Sequence, residues 1–254
     1  MATWLFMHIP KTAGTSFRQI VKRQYRASGG AIEVYDPQEV LTGPAHRHAP
    51  AYIGHFRYGF HHFFPDNCRY VGFMREPVSH AWSHYHFLIE MGKLPAEVNS
   101  FERFLQHKYG YNLQLRFISG VEHIHNTEEQ ALELARENLS HHFALLAPME
   151  QFDKALLLMH QILDWPRSPV YHRANERPNK PKISEEERAL AQSILKYEIT
   201  LYQDVKARFE TYWLKSGLSE RDVQLFDISN WTYRQLDPIY IWFKRAFRFD
   251  SKNS

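Results

Sequence analysis

A short stretch near the start of the chain groups residue types that bind phosphate. An apolar run leads into a lysine, one glycine and three hydroxyl residues, in the order His8-Ile9-Pro10-Lys11-Thr12-Ala13-Gly14-Thr15-Ser16-Phe17. A strand followed by a tight turn and a helix directs unpaired backbone N–H groups and the positive helix end at an anion. The stretch therefore predicts a phosphate-binding turn, with a bend that binds nothing as an equally good interpretation of the local pattern. It is not a Walker A loop, because Lys11 precedes Gly14 instead of following a second glycine.

A second candidate element follows the apolar run Tyr70–Met74. Arg75 comes directly after this run, and Ser83 lies about two turns along the helix that Pro77 is expected to begin. A strand-end arginine projects at the carboxyl edge of a parallel sheet, where open α/β folds bind ligands. A guanidinium with a nearby hydroxyl suits a phosphate monoester. Taken alone, the pattern favours an ion pair between Arg75 and Glu76.

Short apolar runs alternate with helical patterns along the chain, which predicts an α/β fold with a largely parallel sheet. The expected strands are Thr3–His8, Ala31–Tyr35, Ala51–Phe56, Tyr70–Met74 and His142–Ala147. Helix ends are expected from three patterns: Ser100 before a helix 101–109 closed by Gly110, a capping box at Thr127 with Gln130, and another at Ser184 with Glu187. An apolar stripe with helical spacing runs from Leu190 to Phe209 and predicts a core face. We place one domain at 1–215 and an aromatic, basic extension at 216–254.

Composition narrows the function classes. The 254 residues carry a net charge of +3, too mild to indicate nucleic acid, and 44% of them are hydrophobic, enough for a large core. Cys68 is the single cysteine, so no disulfide framework is expected. Without an apolar run long enough to span a membrane or a secretory signal, we expect a soluble, cytoplasmic protein.

The two phosphate elements together resemble those of the sulfotransferases that use 3′-phosphoadenosine 5′-phosphosulfate (PAPS). The chain is most similar to the branch related to heparan sulfate 2-O-sulfotransferase and its bacterial relatives. Arg75-Glu76-Pro77 with Ser83 and Tyr85 carries the second part of the match, and a looser similarity runs through residues 112–117 and 143–152 to the helix after Ser184. The resemblance implies a sulfotransferase fold with a P-loop-like parallel sheet flanked by helices.

The resemblance also implies roles for individual residues. The 5′ end of the nucleotide would be held by Lys11, Thr12, Gly14, Thr15 and Ser16. The 3′-phosphate would be held by Arg75 and Ser83. Arg173 lies in a polar loop with four cationic residues, 173–182, which would correspond to the family's segment over the nucleotide. PAPS would be the sulfuryl donor and the desulfated nucleotide PAP the product, without a metal.

Sulfuryl transfer needs a base for the acceptor hydroxyl, and histidine suits neutral pH. Among 16 histidines, His55 stands out because it follows Gly54 at the end of a predicted strand, like the Gly-His that carries the family's base. Lys11 would stabilise the charge on the departing phosphate oxygen, and His8 is the reserve base. The histidine-rich region with His46, His48, His61 and His62 is a weaker candidate for a metal site or for contact with the acceptor.

Alternative functions remain at this point. A P-loop kinase-like enzyme would need a complete Walker A loop and a metal-holding carboxylate. A nucleotide-binding module without activity would not need His55. The expected acceptor is a hydroxyl group on a carbohydrate, and the sequence is compatible with an oligomer. For the tail, packing on the domain or on a partner is preferred to binding at a membrane surface.

Overall fold

The fold was determined as a computed structural model that describes residues 3–35, 49–64, 67–172 and 181–248, with the backbone alone for 237–248. The strands are β1 (Thr3–Met7), β2 (Ala31–Val34), β3 (Ala51–Gly54), β4 (Cys68–Met74) and β5 (Phe143–Pro148). They form one parallel sheet in the order β2-β3-β1-β4-β5. The predicted α/β class, the five strands and the parallel sheet are therefore confirmed.

Helices pack on both faces of this sheet. They are α1 (Gly14–Tyr25), α2 (Pro77–Glu90), α3 (Phe101–Gln106), α4 (Leu113–Ser119), α5 (Glu128–His141), α6 (Phe152–Ile162), α7 (Glu185–Ile194), α8 (Lys196–Ser216) and α9 (Glu220–Arg248). Short 3₁₀ turns cover Phe60–Phe63 and Met149–Gln151. The architecture is compatible with a P-loop-like fold.

Side chains that alternate along the strands separate two cores. Leu5 and Met7 of β1 pack with residues of α4, α5 and the first half of α8. Phe6 of β1 faces the other way, toward α1, α6 and the second half of α8. This period of two is what a sheet with both faces covered requires. A third cluster joins α2, α3 and α7 and forms the wall of the cleft described below.

Several predicted helix ends are correct. Pro77 is the first residue of α2, and the Glu76 carboxylate accepts hydrogen bonds from the backbone N–H groups of Val78 and Ser79 at 3.1 and 2.7 Å. Ser100 caps α3, and Ser184 forms the predicted capping box with Glu187. Local hydrogen-bonding patterns read from sequence thus fix the starts of three helices.

Other predicted ends are wrong. The helix that begins at Phe101 ends at Gln106, and Gly110 does not cap it. Gly110 is needed for close packing, because a Cβ there would lie 2.2 Å from the Phe104 carbonyl oxygen. No side-chain capping bond forms at Thr127, whose backbone N–H closes a turn on the Ile124 carbonyl.

The apolar stripe after Ser184 is divided between two helices instead of lying on one. The helix breaks at Leu195, where α7 ends and α8 begins. The strand predicted at Ala51–Phe56 stops at Gly54. That early end releases His55 from the sheet at its carboxyl edge.

Candidate functional site

The turn that was predicted to bind phosphate joins β1 to α1 through two residues in the left-handed conformation. Lys11 has φ 67° and Ala13 has φ 61°. Each costs roughly 1–2 kcal/mol in a non-glycine residue, so the surrounding structure must hold the turn. Left-handed residues alternating with others form a concave nest of backbone N–H groups that suits an anion. The first turn of α1 follows directly, and a helix N-terminus carries a partial positive charge.

Two buried contacts hold this turn from below. The Thr12 hydroxyl donates to the Ile9 carbonyl at 2.8 Å, and Thr12 is 2% exposed. His80 of α2 donates from Nε2 to the Pro10 carbonyl at 2.8 Å, and it is also 2% exposed. The Thr12 hydroxyl thus stabilises the turn itself, although the sequence predicted that Thr12 binds the 5′ end of the nucleotide. Burial lowers the pKa of His80 to about 3, so the ring stays neutral.

His8, Gly14 and His55 are packed against one another beside the turn. A Cβ on Gly14 would lie 1.6 Å from Nε2 of His8, so the His8 ring occupies the space that any other residue would fill. The rings of His8 and His55 lie 4.4 Å apart, centroid to centroid, with an interplanar angle of 30°. The glycine predicted for a tight turn is therefore required for a close ring contact. His8 is therefore part of the site through its contact with His55.

The hydrogen bond of His55 fixes its tautomer. Nδ1 of His55 lies 2.8 Å from the His8 carbonyl oxygen. A carbonyl only accepts, so Nδ1 carries the proton and Nε2 keeps a lone pair. The side chain reaches solvent, yet the protein atoms around it desolvate the ring and lower its pKa below 6.5. His55 is consequently neutral at pH 7, as a general base must be.

Arg75 follows β4 and is held by its backbone. Its N–H donates to Oε1 of Gln114 at 2.8 Å, and its carbonyl accepts from Nε2 of Gln114 at 2.9 Å. The guanidinium makes a long bond of 3.4 Å from Nη1 to the Lys11 carbonyl, and Nε is buried without a hydrogen-bond partner. The ion pair with Glu76 that the sequence favoured for Arg75 is not formed, because the Glu76 carboxylate caps α2.

Helix α2 supplies one wall of the site. Ser79 and Ser83, one helical turn apart, both line the cleft. Nζ of Lys11 lies 4.2 Å from the centroid of the Phe87 ring, a cation–π contact that holds the lysine over this wall. Trp82 donates from Nε1 to the Pro181 carbonyl at 2.8 Å and so ties the segment before α7 to the same wall.

A cleft of about 920 Å³ joins these elements. It is lined by the predicted residues Lys11, Gly14, Thr15, Ser16, His55, Arg75 and Ser83. Pockets for small ligands and cofactors commonly measure about 300–1,000 Å³. The Ser16 hydroxyl donates to the His172 carbonyl at 3.1 Å, which links the turn to the segment after α6. Arg173 lies outside the described residues.

Sequence reasoning missed several residues of this site. His84, 6% exposed, lines the cleft and donates from Nδ1 to the Tyr109 carbonyl at 3.0 Å. Burial lowers the pKa of His84 to about 4. Gln114 and Glu198 were missed because the contact that places them behind Arg75 spans a large sequence separation. The spacing of Ser79, His80, Ser83 and His84 was the available signal, since residues four apart share a helix face.

His61 and His62, the described members of the histidine-rich region, do not line the cleft. The His61 ring makes tilted contacts with His62 and with His142, at centroid distances of 4.2 and 4.7 Å, and Nδ1 of His61 lies 3.0 Å from the Tyr70 hydroxyl oxygen. Burial, together with these two neighbours, lowers the pKa of His61 to about 4. Within the described ranges, no group of three His, Cys, Asp or Glu residues is arranged to hold a metal ion. His46 and His48 lie outside those ranges.

Comparisons with known proteins name no family for the chain. No protein-family model matches the sequence, and no curated protein matches it significantly. None of the described helices is both long enough and apolar enough to cross a membrane.

Proposed function

We propose that the chain is a sulfotransferase that moves a sulfuryl group from PAPS to a hydroxyl group, with a carbohydrate as the expected acceptor. The observation that carries the proposal is the meeting of Lys11, His55 and Arg75 in one cleft. A turn built for an anion, a neutral histidine and an arginine with an unpartnered Nε have the donor and acceptor chemistry that this reaction needs.

The residues present fit a nucleotide with phosphates at both ends. The backbone nest and Lys11 suit the 5′-phosphosulfate, and the buried Nε of Arg75 lacks a partner that a phosphate oxygen would supply. Ser83 lines the same cleft and offers a hydroxyl group. PAPS would bring an electrophilic sulfur whose bond to the 5′-phosphate oxygen breaks as the acceptor oxygen attacks.

Within this scheme each side chain has a stated task. Nε2 of His55 takes the proton of the acceptor hydroxyl, because Nδ1 is committed to the His8 carbonyl. The resulting imidazolium keeps that hydrogen bond, which favours its charge. Lys11 and the start of α1 stabilise the negative charge that gathers on the departing phosphate oxygen. The Phe87 ring under Lys11 limits the directions that the ammonium group can take.

A kinase-like enzyme is the alternative, and the carboxylates near the turn fit it less well. Glu150 follows β5 near Arg75, where a metal-holding carboxylate would be expected. Its Oε1 accepts from the Glu76 backbone N–H at 3.0 Å, and its Oε2 accepts from the Tyr202 hydroxyl at 2.6 Å. Both oxygens are therefore engaged within the protein. These two hydrogen bonds favour a structural role for Glu150 over binding of a metal ion.

Calorimetric titration with PAP and with ATP plus magnesium tests the proposal. We expect micromolar binding of PAP, about −8 kcal/mol, weak binding of ATP, and a PAP affinity in Arg75→Ala that is at least about tenfold weaker but still measurable. Arg69→Ala is the matched control, since Arg69 is an exposed cation on β4, the strand that Arg75 follows. Binding of ATP with magnesium but not of PAP would replace the sulfotransferase proposal with the kinase-like one.

A screen of hydroxyl acceptors then tests the chemistry. His55→Gln should bind PAP like the wild type and lose about 10²–10⁴-fold in turnover, the usual contribution of a general base. Sulfation at the wild-type rate by His55→Gln would remove the histidine from the mechanism. PAP binding without transfer to any acceptor would favour a binding module.

A further inference from the structure

The backbone of Arg75 is paired with a side chain where the sheet can no longer hold it. β4 ends at Met74, so the next residue has no strand partner. Gln114, which is fully buried, replaces that partner by accepting from the Arg75 N–H and donating to the Arg75 carbonyl. The two bonds, 2.8 and 2.9 Å long, fix the peptide on both sides of the Arg75 Cα atom.

A buried carboxylate stands behind this amide. Glu198 of α8 is 1% exposed. Its Oε1 accepts from Nε2 of Gln114 at 3.0 Å, and its Oε2 accepts from the backbone N–H groups of Gln114 and Leu115 at 2.9 and 3.3 Å. Burial raises the pKa of Glu198 to about 7, and the three donors oppose that rise. All three groups that form hydrogen bonds with this carboxyl act as donors.

The orientation of the Gln114 amide follows from the chemistry of Glu198. Above the pKa of Glu198 its carboxylate only accepts, so the NH₂ group of Gln114 faces it, as observed. The remaining hydrogen of that NH₂ then reaches the Arg75 carbonyl, and Oε1 is left for the Arg75 N–H. A reversed amide would set oxygen against the carboxylate and NH₂ against N–H. One amide orientation is thus favoured both by the Arg75 N–H and by an acceptor on α8.

The guanidinium itself has little else to hold it. Its bond to the Lys11 carbonyl is long, at 3.4 Å, and Nε has no partner. The described ion pairs do not include Arg75. The direction of the side chain into the cleft therefore depends on where its backbone is held.

We propose that Gln114 and Glu198 are positioning residues that fix Arg75 for recognition of the phosphate monoester at the ribose 3′ position. This inference rests on the proposed function. It predicts that the pair controls the preference of the site for PAP over AMP, which lacks that phosphate. The pair would leave recognition of the 5′ end unchanged, because that end meets the turn before α1.

Glu198→Gln is the variant that tests the inference, because the new amide presents NH₂ where the carboxylate accepts. With its oxygen kept on the two backbone N–H groups, its NH₂ meets the NH₂ of Gln114 and reverses that amide. PAP affinity should fall about tenfold or more, the usual cost of a lost hydrogen bond to a charged group, while AMP affinity changes less than about twofold. Glu210→Gln is the control, since Glu210 is an exposed carboxylate on the same helix.

A double-variant cycle separates positioning from a structural role. In the Arg75→Ala background, Glu198→Gln should cause no further loss of PAP affinity, since both act through the same guanidinium. Additive losses, or equal losses for PAP and AMP, would overturn the inference. The swap Gln114→Glu with Glu198→Gln restores every bond except the one to the Arg75 carbonyl. The swapped variant should recover part of the preference for PAP over AMP. It replaces Glu198→Gln as the test if that single variant does not fold.

A measurement on Arg75 itself does not depend on the nucleotide. The Nε–Hε resonance of Arg75, assigned by its loss in Arg75→Lys, should be sharp in the wild type. It should broaden or shift in Glu198→Gln, and stay unchanged in Glu210→Gln. An unchanged Arg75 signal in Glu198→Gln refutes the positioning role. If the wild-type protein fails to bind PAP while this signal responds, the proposed function fails and the positioning role of Glu198 stands.

Discussion

Replacing Gly14 by alanine should damage the site while leaving the fold almost as stable. The new Cβ would lie 1.6 Å from Nε2 of His8, and ordinary contact begins near 3.4 Å, so the ring must move by about 2 Å. The His55 ring lies 4.4 Å from the His8 ring, centroid to centroid, so this contact must change when the His8 ring moves. The lost ring contact costs about 1 kcal/mol, and alanine gains about 0.4–1 kcal/mol because it restricts the unfolded chain more than glycine does. The two contributions nearly cancel in the free energy of unfolding.

The assay for this variant combines calorimetry with NMR. The dissociation constant for PAP should rise at least about tenfold, or 1.4 kcal/mol, and the ring signals of His55 should shift. The melting temperature should change by no more than about 3 °C, as expected for a net change under 1 kcal/mol. In the double variant with His8→Ala, the space reopens and the added alanine should cost far less. The reasoning is refuted if the cost of Gly14→Ala is the same with and without His8.

Three further predictions follow from groups around the cleft. Burial lowers the pKa values of His80 and His84, so the unfolded chain takes up their protons first as the pH falls. The contribution of the two neutral histidines to stability is complete above pH 6.5, and the free energy of unfolding should fall by about 2 kcal/mol per histidine by pH 5. Chemical denaturation should show a shallower decline in His80→Gln. Because the pKa of His55 is lowered, the acid limb of turnover should lie below pH 6.5, and a plateau that begins above pH 7 would contradict its role as the base. Trp82→Phe loses the bond to the Pro181 carbonyl and should weaken PAP binding about fivefold at unchanged melting temperature; wild-type affinity would show that this bond does not shape the cleft.

The parts of the site that follow from local pattern were predictable. The apolar run before Lys11, its single glycine and the helix that follows indicate a strand, a turn and a helix. Arg75 and His55 follow apolar runs and meet because parallel strands end at a common edge. For the same reason the five strands and the parallel sheet were predicted, although the residues at which β3 and α3 end were not.

The remaining parts depend on contacts between distant segments. Threonine is a common phosphate ligand, and only the folded turn shows that the Thr12 hydroxyl donates to the Ile9 carbonyl. Glu198 sits in an apolar helical stripe that predicts a core face, and nothing local indicates that its carboxylate meets Gln114. Such pairs arise from tertiary structure, which no helical or strand period encodes. The PAPS and acceptor assignments rest on resemblance and stay proposals.

The strand order also has a consequence for how the protein reaches its native state. β1 is central, and Leu5 pairs with Tyr52 on one side and with Tyr70 on the other. Parallel pairs of this kind close long loops, which slows folding. The ring contact between His8 and His55 requires β1 and β3 to be docked, so it cannot precede sheet assembly. During refolding, helical signal should therefore return before the contact between His8 and His55, and a newly made chain would form this cleft among the last of its structures.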